Sequence, residues 1–138
     1  MVGEILRRTS AAEVHVEWMS NEKVALEAAF GASLGGMRAL LCVKSVGLNV
    51  ALDPLMAINL AGSHAGLVVL VGDDPGGWGS QNEQDSRWIA LAAELPLLEP
   101  CTTPDAHLSI PLAFQLSEEL RIPVMVRVTQ SLVTAGGD

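Results

Sequence analysis

Glu22 is the residue best placed for chemistry. It directly follows Ser20 and Asn21, either of which can cap a helix, so its carboxylate falls in a first turn where the helix dipole favours an anion. A surface acid that merely complements that dipole is the plainer role. Lys44 follows an apolar run; it could hold an anion, although marking a strand end is again plainer. Asp73 and Asp74 could engage a divalent cation, yet adjacent acids in a loop are usually solvated. His15, His64 and His107 are scattered, and no Ser–His–acid set can be placed by spacing, because the fold sets such triads. Neither GxGxxG nor GxxxxGK[ST] occurs, which leaves phosphate-loop chemistry without support. Cys42 and Cys101 form no CxxC and have no histidine at zinc spacing. Cys42 reads as a small buried hydrophobe in an apolar run. A disulfide between the two stays open, while two thiols without a signal peptide point to a reducing, cytoplasmic compartment.

These side chains need elements to hold them. Four apolar runs rich in β-branched residues read as strands: Val14 to Trp18, Ala39 to Val43, Leu67 to Val71 and Val124 to Val128, with a weaker one at Leu95 to Leu98. Three are nearly continuous hydrophobes, as in strands buried on both faces of a parallel sheet. Helical segments lie between them, at Asn21 to Ser33, Asn49 to Leu60, Ser86 to Glu94 and Asp105 to Glu119. The alternation predicts an α/β fold, three-layered, with a mostly parallel sheet and helices on both faces. The small residues Ala25, Ala28, Ala29, Ala32, Gly35 and Gly36 suit close helix–sheet packing. In such sheets ligands bind at the carboxyl ends of strands. Three strand-to-helix loops would converge there, carrying Glu22, Lys44 to Gly47, and the fourteen-residue polar stretch DDPGGWGSQNEQDS from Asp73 to Ser86. Loops of that length are often functional. Trp78 and Trp88 flank it, read as buried anchors, with Trp78 alternatively an exposed partner contact.

Composition narrows the classes. The chain has 138 residues, the length of one domain, with 49% hydrophobic and 17% charged residues, which excludes a disordered chain. The net charge of −8 disfavours nucleic acid and anionic lipid as partners. No apolar stretch is long enough to cross a membrane. The mean hydropathy of +0.36 is high, consistent with a buried sheet and surfaces that partners would cover.

The stretch VEWMSNEKVALEAAFGASLGGMRALLCVKSVGLNVALDPLM, Val16 to Met56, resembles the pyrimidine-binding domain of indolepyruvate:ferredoxin oxidoreductase alpha subunits, which are thiamine-diphosphate-dependent 2-oxoacid oxidoreductases. GLVVLVGDDPGGWGSQNEQDSRWIA, Gly66 to Ala90, and LAFQLSEELRIPVMVRVTQ near the end are similar to the same family. The resemblance implies that Glu22, by its place in SNEKVALE, hydrogen-bonds N1′ of the cofactor's aminopyrimidine and so promotes proton removal from the thiazolium C2. It implies that Lys44, Gly47 and Asn49 lie beside the cofactor, and that Asp74, Ser80, Gln81 and Gln84 border the substrate cleft. It implies thiamine diphosphate with Mg²⁺ held mainly by a separate diphosphate-binding domain or subunit, iron–sulfur clusters elsewhere, and a homo-oligomer.

Members of the family begin with a strand–helix unit carrying a Gly-Tyr-Pro-Gly-Thr-Pro-type loop. Here MVGEILRR resembles only the helix after that loop, so the expectation is a single pyrimidine-binding-type domain, residues 1–138, without its first strand. Such a chain is not expected to turn over alone. Two other roles compete: a non-catalytic homologue that dimerises or docks on a partner, and an unrelated small-molecule binder using the Asp73 loop.

Overall fold

The computed structural model describes residues 14–77 and 80–135. Helix α1 (Glu22–Leu34) leads to strand β1 (Ala39–Lys44), and helices α2 (Ser45–Val50) and α3 (Leu52–Ala61) follow. Strand β2 (Leu67–Asp73), helix α4 (Arg87–Ala92), short strand β3 (Leu97–Leu98), helix α5 (Thr103–Leu120), strand β4 (Val124–Thr129) and helix α6 (Gln130–Thr134) complete the order. The four strands are all parallel in the order β1-β2-β4-β3. This is the α/β architecture that the strand–helix alternation predicts.

The side-chain period of two divides β2 between two cores. Leu67, Val69 and Val71 point into one, with Leu26 of α1, Leu48 of α2 and Leu55 and Ile58 of α3. Val68 and Leu70 point into the other, with Ala113 of α5 and Val124 and Val126 of β4. Burial on both faces explains why β2 and β4 are written as unbroken hydrophobes. On α1, Ala25 and Ala29 pack on the first core, whereas Ala28 stays exposed. The α5 helix can come close to Gly66 because that residue lacks a Cβ, which would stand 2.8 Å from Phe114 Cδ1.

Several expectations need correction. Val14 to Trp18 is not a strand: it carries no regular structure, and Val14 and Trp18 are 52% and 75% exposed. Apolar, β-branched composition gives a segment strand propensity, but a strand exists only where a neighbour accepts its backbone hydrogen bonds. Lys44 to Gly47 is not a loop, because α2 starts directly at Ser45. The helical segment expected over Asn49 to Leu60, with an interruption at Asp53-Pro54, is broken instead at Ala51, and Asp53 and Pro54 lie in the first turn of α3. The short α6 was not anticipated. The disulfide that the sequence left open does not form, and Cys42 and Cys101 are both free. Trp88 is no buried anchor, being 69% exposed. Trp78 and the MVGEILRR segment lie outside the described residues.

Candidate functional site

All four strands run the same way, so Lys44, Asp73, Thr129 and Leu98 end them at one carboxyl edge. Glu22 reaches that edge from α1. The helix is capped by Asn21, whose Oδ1 accepts from the Val24 N–H at 3.0 Å, and this puts Glu22 at the first helical position. Its side chain lies across the bare Cα of Gly47 in α2. A Cβ built on Gly47 would stand 2.6 Å from Glu22 Oε1, 2.7 Å from Cγ and 2.8 Å from Cδ. Glycine inside a helix costs about 1 kcal/mol relative to alanine, and the approach of Glu22 gives that cost a reason.

Around this pair the fold supplies polar groups. Ser45, at the start of α2, is 1% exposed, and its hydroxyl has no hydrogen-bond partner among the described residues. Ser80 Oγ, on the long loop, is also buried without a partner among the described residues, but no contact joins it to Glu22 or Gly47. Asn49 and Gln84 exchange amide hydrogen bonds: Asn49 Nδ2 donates to Gln84 Oε1 at 2.8 Å, and Gln84 Nε2 donates to Asn49 Oδ1 at 2.9 Å. Gln84 Nε2 also donates to the Ser45 carbonyl at 3.3 Å. The structure therefore brings Glu22, Gly47, Asn49 and Gln84 together around α2. Lys44 and Gln81 are exposed, and Asp74 is buried.

The long loop is held by a network that sequence reasoning missed. Asp73, 2% exposed, accepts from the Ser86 N–H at 2.8 Å and the Ser86 hydroxyl at 2.5 Å. The buried Arg127 of β4 donates to Asp73 from Nε at 2.6 Å and to Glu99 from Nη1. Asp73 thus ties both ends of the loop together and ties them to the next strand. Glu83 Oε1 accepts from the Gly76 N–H at 3.0 Å and braces the middle. Asp85 pairs with Arg87, whose guanidinium holds the Asp85 carboxyl down from 3.8 to about 2. The expectation that Asp73 and Asp74 are solvated is therefore wrong, since both are buried. The missed signal was Arg127 itself. An arginine inside a run of buried valines needs a buried acid to pair with.

A cavity of about 700 Å³ opens on the same edge beside β3 and β4, lined by Glu99, Cys101, Thr102, Thr129, Ser131 and Leu132 among others. None of the cofactor or substrate-cleft residues expected from the sequence lines it; Cys101 does. Among the described residues no three His, Cys, Asp or Glu side chains cluster so as to hold a metal ion, and no helix is long and apolar enough to cross a membrane.

Residues 1–136 match the family model described as pyruvate flavodoxin/ferredoxin oxidoreductase, thiamine diphosphate-binding. Among curated proteins, the chain is 46% identical over 129 residues to indolepyruvate oxidoreductase subunit IorA of Pyrococcus abyssi, covering 94% of this chain and 20% of that protein. It is 44% identical to the subunit of the same name from Archaeoglobus fulgidus, over 91% of this chain and 20% of the relative. For that of Methanothermobacter marburgensis the identity is 46%, over 93% and 21%. The chain spans about a fifth of the length of these relatives.

Proposed function

Because the chain belongs to the thiamine-diphosphate-binding family of the pyruvate flavodoxin/ferredoxin oxidoreductases, we propose that it is the pyrimidine-binding part of a 2-oxoacid oxidoreductase and that Glu22 is its catalytic carboxylate. The observation that carries the reading is the seat of Glu22: a carboxylate at the start of α1, laid across a glycine at the carboxyl edge of the sheet. The residues present fit the cofactor. The missing Cβ of Gly47 leaves the room in which the Glu22 carboxylate lies against α2, and the buried Ser45 hydroxyl is left for a partner outside the described residues.

Thiamine diphosphate supplies a thiazolium C2 carbanion equivalent for attack on a 2-oxoacid carbonyl. Within this chain, the Glu22 carboxyl would hydrogen-bond N1′ of the aminopyrimidine, the contact through which the cofactor's amino group would serve as the local base. The capped first turn of α1 fixes where that carboxyl stands. Gly47 makes room for the Glu22 side chain against α2, and Asn49 and Lys44 would border the cofactor's ring. Asp74, Ser80 and Gln81 flank the substrate side. The diphosphate and Mg²⁺ belong to a further domain or subunit, as do the iron–sulfur clusters that take the electrons, and an indolepyruvate-like acid is the substrate. A homo-oligomer that closes two such sites is part of the same reading.

The test is reconstitution with a partner that carries the diphosphate site. Glu22→Gln is expected to abolish 2-oxoacid-dependent electron transfer while the complex still assembles. Undiminished activity in that variant overturns the assignment. A second reading, a non-catalytic docking module, draws on the exposed Trp88, Leu91 and Leu108, each more than two-thirds exposed. Light scattering tests it: a strictly monomeric, well-folded chain that captures no diphosphate-domain partner counts against it.

A further inference from the structure

We propose that Gln84 is a positioning residue for Glu22, acting through the turn of α2 that carries Gly47; the inference rests on the catalytic reading of Glu22. Ser45 and Asn49 stand four apart, so they bracket one helical turn with Gly47 at its centre. Gln84 grips both ends of that turn. Its Nε2 donates to the Ser45 carbonyl at 3.3 Å and to Asn49 Oδ1 at 2.9 Å, and its Oε1 accepts from Asn49 Nδ2 at 2.8 Å. Both N–H groups and the carbonyl of the Gln84 amide are therefore engaged by α2, which favours bracing over direct contact with a ligand.

The brace has a firm base. Gln84 lies two residues before Ser86, whose backbone N–H and hydroxyl are both bound by the buried carboxylate of Asp73. Asp73 is itself held by Arg127. A chain of contacts thus runs from β4 through Asp73 and Ser86 to Gln84, then to the Ser45–Asn49 turn, and ends where Glu22 lies across Gly47. A short helix of six residues has little stiffness of its own. Without the Gln84 amide, its central turn is free to move by a fraction of an ångström, and Glu22 moves with it. Errors of about 1 Å at a reacting group can cost about a hundredfold in rate, so a smaller displacement is expected to cost roughly tenfold.

The test uses two readouts. In the chain without cofactor, the carbon-13 resonance of the Glu22 carboxyl is assigned by its disappearance in Glu22→Gln. In the reconstituted complex with thiamine diphosphate and Mg²⁺, exchange of the cofactor C2 hydrogen for deuterium is followed by proton NMR. Gln84→Ala is expected to shift the Glu22 resonance and slow C2 exchange about tenfold, with the thermal midpoint changed by only a few degrees. Asn49→Ala, which leaves the loop anchor intact, is expected to do the same, and the double variant to be no slower than the slower single one. An unmoved Glu22 resonance with C2 exchange within twofold of the parent, in either single variant, overturns the proposal. Full exchange in Glu22→Gln instead overturns the catalytic reading of Glu22, and the resonance measurement still decides whether Gln84 positions it.

Discussion

Gly47→Ala separates the two things a glycine in a helix can be doing. The substitution adds one methyl group, and its consequences for stability and for function have opposite signs. In stability, alanine inside a helix gains about 0.5–1 kcal/mol over glycine. Against this, the new Cβ would stand 2.6 Å from Glu22 Oε1 and 2.7 Å from its Cγ, where ordinary contact begins at 3.4 Å. The Glu22 side chain must therefore retreat by about 0.8 Å. Glu22 is flexible and only half-buried, so it can do this by leaving its preferred rotamer, at roughly 0.5–1.5 kcal/mol. The two terms offset each other, and the fold is expected to keep its stability to within about 1 kcal/mol, a few degrees in thermal midpoint for a domain of this size.

In function the terms do not offset. On the proposed role of Glu22, a carboxylate moved by nearly 1 Å loses its alignment with the group it serves, a loss of up to about a hundredfold, or about 2.7 kcal/mol of barrier. The assay pairs thermal unfolding of the variant with 2-oxoacid-dependent turnover of the reconstituted complex. The double variant with Glu22→Gln supplies the control: once the carboxylate is gone, the added methyl should cost little more. Turnover within about threefold of the parent would refute the reasoning, because the seat of Glu22 would then be irrelevant. A fall in thermal midpoint beyond about 10 °C would refute it from the other side, by making Gly47 a packing residue.

Three further outcomes follow from the charges and thiols. Arg127→Ala leaves Asp73 buried without its guanidinium, and should cost about 3–5 kcal/mol in urea unfolding; replacing Arg127 and Asp73 together by Met and Asn should cost less than Arg127→Ala alone. Asp85 is held below its ordinary 3.8, at about 2, mainly by its hydrogen bond from Arg87. Its contribution is therefore complete above the ordinary value and is lost as pH falls through about 2. Because the pair is solvent-screened, Asp85→Asn should lower the thermal midpoint by only roughly one to three degrees at pH 6, and by nothing below pH 2. Burial pushes the Cys42 thiol up, so iodoacetamide at neutral pH should modify the exposed Cys101 well before Cys42; equal rates, read by peptide mass, would contradict the packing of β1.

How much was legible in the sequence depended on whether a segment's fate was local. Ala39 to Val43, Leu67 to Val71 and Val124 to Val128 are strands as written: burial on both faces leaves an unbroken apolar signature in the inner strands β2 and β4, and the edge strand β1 carries an apolar run of its own although only Leu41 is fully buried. The cap of α1 was legible for the same reason, since Asn21 bonds to its own helix. Val14 to Trp18 alternates apolar and polar residues, a strand signature of its own, and is not a strand, because pairing is a property of two segments and the sequence of one does not contain it. The boundary at Lys44 was misplaced because Gly47 and Asn49 speak for a turn, while a helix that packs Leu48 into the core outweighs their propensity.

The candidate site divides along the same line. Glu22 and Gly47 were each visible, the first by its cap and the second by the motif around it, but their contact spans two elements and only the folded chain brings it about. The supporting residues were harder still. Asp73 and Asp74 look like solvated loop acids until Arg127, more than fifty residues later, is known to lie on the neighbouring strand. That register, Val71 beside Arg127 and Asp73 beside Thr129, follows from sheet order rather than from any motif. A buried arginine is the one local trace such a network leaves, since it cannot be stable in an apolar strand without an acid to meet it. Reading Arg127 as a demand for a distant carboxylate would have pointed to the acids at the end of β2, and through Ser86 to Gln84 and the turn on which Glu22 rests.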